Sequence, residues 1–444
     1  MKLMTTCKLM LKVLVPLALI VMMVSTVYAA PPTQLWSDAV DTNDIAPSKD
    51  GNYVAVASGN QLRFYGRSSA TPLWTSRSQD EFSSVAISAD GDCVAVGGMS
   101  NVYFWKNART LTGSGIDTQT WVSVSLGGSI DRRCIDISDD GNYVAACGTG
   151  TNVFYWANAK GKSGTNIATT WTSPVFNNVE AVALSSNGDF VSAAVDNDKV
   201  AYWKNARSLT NTQSPNWVSP AFTGEFFVDI AVSDDGNYIA VAGTASAGPS
   251  TVYYWAGATS LSGNPSPTWS SGIDIFFSSI DISSDGNSVI AGVEGPSFVG
   301  VHFWAGAKGL SGTVNPTWTF PTTDAVRDVA INSAGDFMAA ANDVSVSRVY
   351  FFDAKGNLLW SPPFQLDNPV SAISLSGDGG TLAVGTSARS TGYLLSTGFS
   401  SGNLPNPVGG VVLPTNTLAI LTPYLALAGL IVAVSAVVVV KKRR

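Results

Sequence analysis

The side chains able to do chemistry in this chain are mostly carboxylates. Eight of them, Asp41, Glu81, Asp131, Glu180, Glu225, Asp274, Asp324 and Asp367, recur one per repeat along the sequence. Gathered at one mouth of a ring, they would focus a negative field and attract a cation or a cationic ligand. Phe226, Phe227, Phe276 and Phe277 stand beside two of them. The plainer reading is solvated loop charge, because carboxylates are common in exposed turns. Two stretches, Asp136-x-Ser138-x-Asp140-Gly141 and Asp281-x-Ser283-x-Asp285-Gly286, mimic the opening of a calcium loop. Their twelfth positions are Cys147 and Gly292, where such a loop needs Glu, so a hairpin turn accounts for them better. Ca2+ therefore has no specific motif behind it, and no cofactor is expected.

Nucleophilic catalysis has little to draw on. The only histidine is His302, in the strand-like run GVHFW, and nothing near it forms a nucleophile elbow. A paired-carboxylate hydrolase stays open, since acidic residues are plentiful. Of four cysteines, Cys7 lies in an apolar leader, leaving Cys93, Cys134 and Cys147. Cys134 and Cys147 flank the Asp140-Gly141 turn symmetrically and should face each other across a hairpin. A disulfide suits an oxidising exterior, while two small buried thiols are the alternative. No CxxC occurs, which argues against structural zinc.

The elements that must position these groups are written eight times. Turns of the form SDDGNYIAV recur with glycines at Gly51, Gly91, Gly141, Gly188, Gly236, Gly286, Gly335 and Gly379. Each lies between two apolar β-rich runs, and an aromatic run follows. A period of 40 to 50 residues with this content implies a ring of small antiparallel sheets. Thirteen tryptophans support it. Trp105, Trp156, Trp203, Trp255 and Trp304 close third strands; Trp36, Trp74, Trp121, Trp171, Trp217, Trp269, Trp318 and Trp360 mark fourth strands. All are then used in packing blade on blade. The last repeat lacks its fourth-strand Trp, and Trp36 precedes the first turn. The N-terminal segment is therefore expected to complete the last blade and remove the open sheet edge.

The Ser-x-Asp-Gly turn, the small-residue strand and the strand ending in Tyr/Phe-Trp resemble WD40-type repeats. FFDAKGNLLW (Phe351 to Trp360) is similar to the outer strands of quinoprotein-like (PQQ) propellers, which commonly have eight blades. The resemblance covers roughly residues 34 to 397 and implies a β-propeller. Trp is followed by Lys or Ala instead of Asp, the Gly-His pair is missing, and no adjacent Cys pair or cofactor ligand set is present.

The ends place the ring in a cell. Residues 1–30 have a charged start, an apolar middle and a small-residue exit, the pattern of a signal peptide. Residues 418–440 carry no charge and are followed by Lys441, Lys442, Arg443 and Arg444, the pattern of a membrane helix with a cytoplasmic tail. Residues 398–417 form a Gly/Pro/Asn-rich stalk between ring and helix. This arrangement is similar to the anchors of archaeal surface proteins. With three basic residues in the leader and four in the tail, 18 basic and 32 acidic residues remain for the exposed part, a net charge of −14. Such a domain repels nucleic acid.

The sequence thus implies an all-β, eight-bladed propeller over residues 31–397, with four-stranded blades. The expected role is a surface-anchored binding or scaffold module for proteins, glycans or cations. An extracellular propeller enzyme and a structural envelope component are the alternatives. Varied loops, those from fourth to next first strand and from second to third, are the expected recognition face. The repeated third-to-fourth links (KNARTLTGS, KNARSLTNT, AGATSLSGN, AGAKGLSGT) are expected to serve packing.

Overall fold

The recurring turn is held by its own side chains. Ser138 Oγ donates to Asp140 (2.6 Å) and accepts from the Tyr143 N–H (3.1 Å), while Asp140 accepts the Asn142 N–H (2.9 Å). Gly141 takes φ +70°, which glycine enters without a Cβ clash. The Ser-to-Asp bond recurs at Ser48, Ser88, Ser233, Ser283 and Ser376. In the seventh repeat Asn332 replaces Ser and Ala334 replaces Asp. There Asn332 Oδ1 accepts the N–H groups of Asp336 and Phe337, both at 3.0 Å.

These hairpins build a ring of eight antiparallel blades in the computed structural model. It describes residues 31–401, apart from 117, 149–150, 246–249, 273–275, 296–297, 361 and 388–390. Blade 5, for example, runs outward from the channel through Glu225–Val232, Tyr238–Ala245, Val252–Ala256 and Trp269–Ser271. The last blade joins both ends of the ring. Val370–Leu375, Thr381–Thr386 and Gly392–Ser396 are completed by Thr33–Asp38, with Trp36 opposite Leu394. The closure legible in the position of Trp36 is the one observed. Among the described residues no helix is long and apolar enough to cross a membrane. The leader 1–30, the span 418–440, the tail 441–444, most of the stalk and Asp274 lie outside the described residues.

Three layers of contact lock blade to blade. Innermost is a closed ring of backbone bonds through the second residue of each turn. Ala89 donates to Asp139, Asp139 to Ser186, Ser186 to Asp234, Asp234 to Ser284, Ser284 to Ser333, Ser333 to Gly377 and Gly377 to Lys49. Asp50 returns the chain of bonds to Ala89. Next, each turn glycine sits on a residue of the preceding blade. A Cβ at Gly236 would lie 2.3 Å from Phe190, and one at Gly188 2.4 Å from Tyr143. Outermost, each fourth-strand Trp reaches the following blade. Trp74, Trp121, Trp171, Trp217 and Trp269 donate their indole N–H to the carbonyls of Ala108, Ala159, Ala206, Ala258 and Ala307, and pack on the next third-strand Trp.

Two details differ from the sequence reading. Four blades have five strands, because the next blade's third-to-fourth link adds one in parallel. Gly113–Ile116 lies on Trp74–Arg77, Gly164–Ile167 on Trp121–Ser123, Asn211–Thr212 on Trp171–Thr172 and Gly312–Val314 on Trp269–Ser271. That is why these links repeat: each must turn through a left-handed residue (Asn107, Asn158, Asn205, Gly257 or Gly306) and then run along its neighbour. Trp360 also precedes its strand instead of lying on it; the strand is Phe364–Leu366. Pro362 and Pro363 intervene, and proline cannot donate to a ladder.

Candidate functional site

The channel is lined by first strands, which run from one mouth to the other. Five of them carry an Asp among apolar neighbours: Asp44, Asp136, Asp229, Asp281 and Asp328. Each bridges to the next first strand. Asp44 accepts the Val85 N–H (2.9 Å), Asp136 that of Leu184 (2.7 Å), Asp229 that of Ile280 (3.0 Å), Asp281 that of Ile331 (2.9 Å) and Asp328 that of Ile373 (2.8 Å). Burial raises Asp136 and Asp281 to about 7, against the pull of the N–H groups they accept. Burial also raises Asp44 to about 6, with Arg132 opposing. The carboxylates that mimicked a calcium loop, Asp136 and Asp281, thus turn to the neighbouring blade, away from their own turns.

Two arginines occupy the upper channel. Arg132 and Arg133 come from the link between blades 2 and 3. Arg133 holds φ +75°, a left-handed conformation that a non-glycine residue adopts at a cost. Its guanidinium donates to the carbonyls of Val228 (3.1 Å) and Ser278 (2.7 Å) and pairs with Asp229 (3.3 Å). Arg132 pairs with Asp328 (3.3 Å), and its Nη1 is buried without a partner among the described residues. Blade 3 therefore reaches blades 5, 6 and 7 across the channel. At the turn face, Lys49 does the same: its ammonium bonds Asp139 (2.9 Å) and Asp234 (2.7 Å), tying blade 1 to blades 3 and 5.

The link carboxylates take different places. Asp41, Glu81, Asp131, Glu180 and Asp367 are exposed, and Asp324 is half-buried. Asp131 accepts from Ser129 (2.8 Å) and Glu180 from Asn178 (2.5 Å). Glu225 is buried and accepts from the Tyr253 hydroxyl (3.2 Å). Among the described residues no three of His, Cys, Asp and Glu come close enough to hold a metal ion. Of the aromatic neighbours, Phe226 is exposed, but Phe227 and Phe277 are core residues, packed on Tyr253 and His302 respectively.

Other singled-out residues are structural in their contacts. His302 is buried against Phe298 and Trp304, and burial lowers it to about 4, so it is neutral. Cys134 and Cys147 are joined by a disulfide across their hairpin, with Cα atoms 4.7 Å apart. Cys93 is a buried free thiol, raised by burial to about 12, and it fills the place under Gly141 that an aromatic residue fills under Gly91, Gly188, Gly236, Gly286 and Gly379. Sequence reading missed the channel arginines, and of the five strand aspartates it singled out only Asp136 and Asp281, as mimics of a calcium loop. The aspartates' signal was there: a charged residue inside an otherwise apolar strand, as in IDI and VDI, needs a buried partner.

Comparison with known proteins yields no matching sequence family and no matching curated protein. Solved structures do match. BamB from Moraxella catarrhalis superposes with a TM-score of 0.58 at 16% identity, covering 82% of this chain and 99% of BamB. The C-terminal WD40 domain of Sif2 gives 0.62 at 13% identity, covering 83% and 99%. These likenesses establish the fold: a β-propeller like those of the two solved structures, here with eight blades.

Proposed function

We propose that this chain is an exported, membrane-tethered propeller that acts as a binding or scaffold module for a protein partner. One observation carries the reading. The elements that repeat are consumed by the ring itself, in the turn bonds, the glycine contacts and the tryptophan bonds to the next blade. The fourth-to-first links repeat least and bear exposed carboxylates on five of eight positions, Asp41, Glu81, Asp131, Glu180 and Asp367. Loops free to vary on a rigid frame are where recognition is built. The partner surface that fits this rim is basic, since the segment's net charge is −14. The leader and the apolar span supply export and tether.

The test is capture from native membranes with the full chain and with Glu81→Gln, Asp131→Asn, Glu180→Gln and Asp367→Asn combined. A partner held by the parent and lost by the variant supports the reading; equal capture of the same partner by both removes the rim from it. Protease added to intact cells should cut the propeller and spare the C-terminal tail. Protection of the propeller would refute the export.

A further inference from the structure

The outer edges of the blades are not treated alike. On blades 1, 2, 3 and 5 a parallel strand from the next blade covers the fourth strand, and on blade 4 Gly263 pairs with Trp217. Each cover places a residue with positive φ opposite the Trp: Gly113, Gly164, Asn211, Gly263 and Gly312. The bonds follow one pattern. The carbonyl before the Trp accepts, as when Gly164 donates to Thr120 (3.0 Å) and Gly312 to Thr268 (3.1 Å). The N–H one or three residues after the Trp donates, as Val218 does to Gly263 (3.1 Å), and Val124 to Ile167 (3.1 Å).

Blades 6, 7 and 8 have no such cover among the described residues. Two of these bare edges are protected by proline. Pro321 stands three residues after Trp318, and Pro363 three after Trp360, where a donor would be. Proline on an edge blocks further pairing. The edge of Thr33–Asp38 has no proline. At the same spacing it offers the Leu35 carbonyl and the N–H groups of Ser37 and Ala39. The link that would cover it, residues 67–73, turns back on itself through Ser69 and Thr71. The seam is unusual in a second way: among the described residues Trp36 is the one of the eight with no acceptor for its indole N–H, while Trp318 and Trp360 reach Ala354 and Thr397.

We propose that Thr33–Asp38 is a docking edge for an extended segment of a partner protein. The segment adds as a parallel fifth strand, with Gly or Asn in the left-handed conformation opposite Trp36 and small polar residues after it. A second copy of the same edge does not meet this need, because TQLWSD contains neither Gly nor Asn. The site lies on the outer rim, so it is independent of the loop face and its failure leaves that reading untouched.

The probe is a synthetic peptide with the sequence of residues 308–317, KGLSGTVNPT, which forms the covering strand on blade 5. Hydrogen exchange is followed at Ser37 and Ala39 in the full chain, with and without the peptide in excess. Protection should rise at least about tenfold, and a G312V version of the peptide should give none, because Val resists positive φ. Fluorescence anisotropy should show binding weakened at least about tenfold by Ser37→Pro, a substitution an edge strand tolerates. The proposal is overturned if the parent peptide leaves both amides unprotected, or if Ser37→Pro binds as the parent does. Protection that grows with protein concentration and needs no peptide overturns it too, in favour of self-pairing.

Discussion

The turn glycines allow backbone strain and blade packing to be separated. Gly236 has φ +73°, and an added Cβ would lie 2.3, 2.4 and 2.6 Å from Phe190 Cδ2, Cγ and Cβ. Gly306 has φ +69° and nothing within 4 Å of the same position. Alanine at either site takes on the left-handed penalty, about 1–2 kcal/mol. At Gly236 it also collides with the ring that seats blade 5 on blade 4. The Cβ of Phe190 is part of its stem, so a rotamer change alone does not clear the clash, and overpacking adds about 1–3 kcal/mol. Gly236→Ala should therefore lose about 2–5 kcal/mol and Gly306→Ala about 1–2 kcal/mol. Urea denaturation of both variants and the parent, compared at their midpoints and slopes, reads the difference. Equal losses would refute the interlock, since they would leave only the backbone term that the two sites share.

Three further outcomes follow from the same contacts. Trp217→Phe should cost more than Trp36→Phe by about 0.5–1.5 kcal/mol in urea midpoint analysis, because the Trp217 indole donates to the Ala258 carbonyl (3.0 Å), which keeps only the longer Leu261 N–H (3.3 Å), whereas the Trp36 indole has no acceptor among the described residues. Stability should fall as pH rises from about 4 to about 7. Asp44, Asp136 and Asp281 have folded values raised above the unfolded one, so their contribution is complete below the unfolded value and lost as pH passes the folded value. His302 acts in the opposite sense between about 6.5 and about 4, so Asp136→Asn should flatten the decline without abolishing it. Replacing Cys134 and Cys147 with serine, which removes a link across a separation of 13 residues, should cost about 3 kcal/mol in the same assay under oxidising conditions.

What was legible in the sequence is what local chemistry enforces. The Ser-x-Asp-Gly turn binds itself, so it leaves the same signature each time it occurs. Trp36 revealed the closure because it is a fourth-strand residue standing ahead of any first strand. The channel was not legible in the same way. Arg133 meets Val228 and Ser278, which lie 95 and 145 residues away, and Lys49 meets Asp234 at a separation of 185. Nothing in the flanking residues encodes those partners; they follow only once eight blades are wound into a ring. The link carboxylates were visible as a set because they recur, but recurrence in a link does not dictate direction. Glu225 turns inward to Tyr253, while Glu81 and Asp367 face solvent. By position Phe227 and Phe277 read as link residues, yet each belongs to a first strand and is buried in the core.

Photo-crosslinking in intact cells decides whether the varied links, and not the repeated ones, meet a protein partner. A photoreactive residue is placed singly at Glu81, Asp131 and Glu180 on the fourth-to-first links, and at Thr259 and Lys308 on the repeated third-to-fourth links. One shared crosslinked protein is expected from the first three positions and none from the other two. Crosslinks to a shared protein from Thr259 and Lys308, with none from Glu81, Asp131 and Glu180, would contradict it.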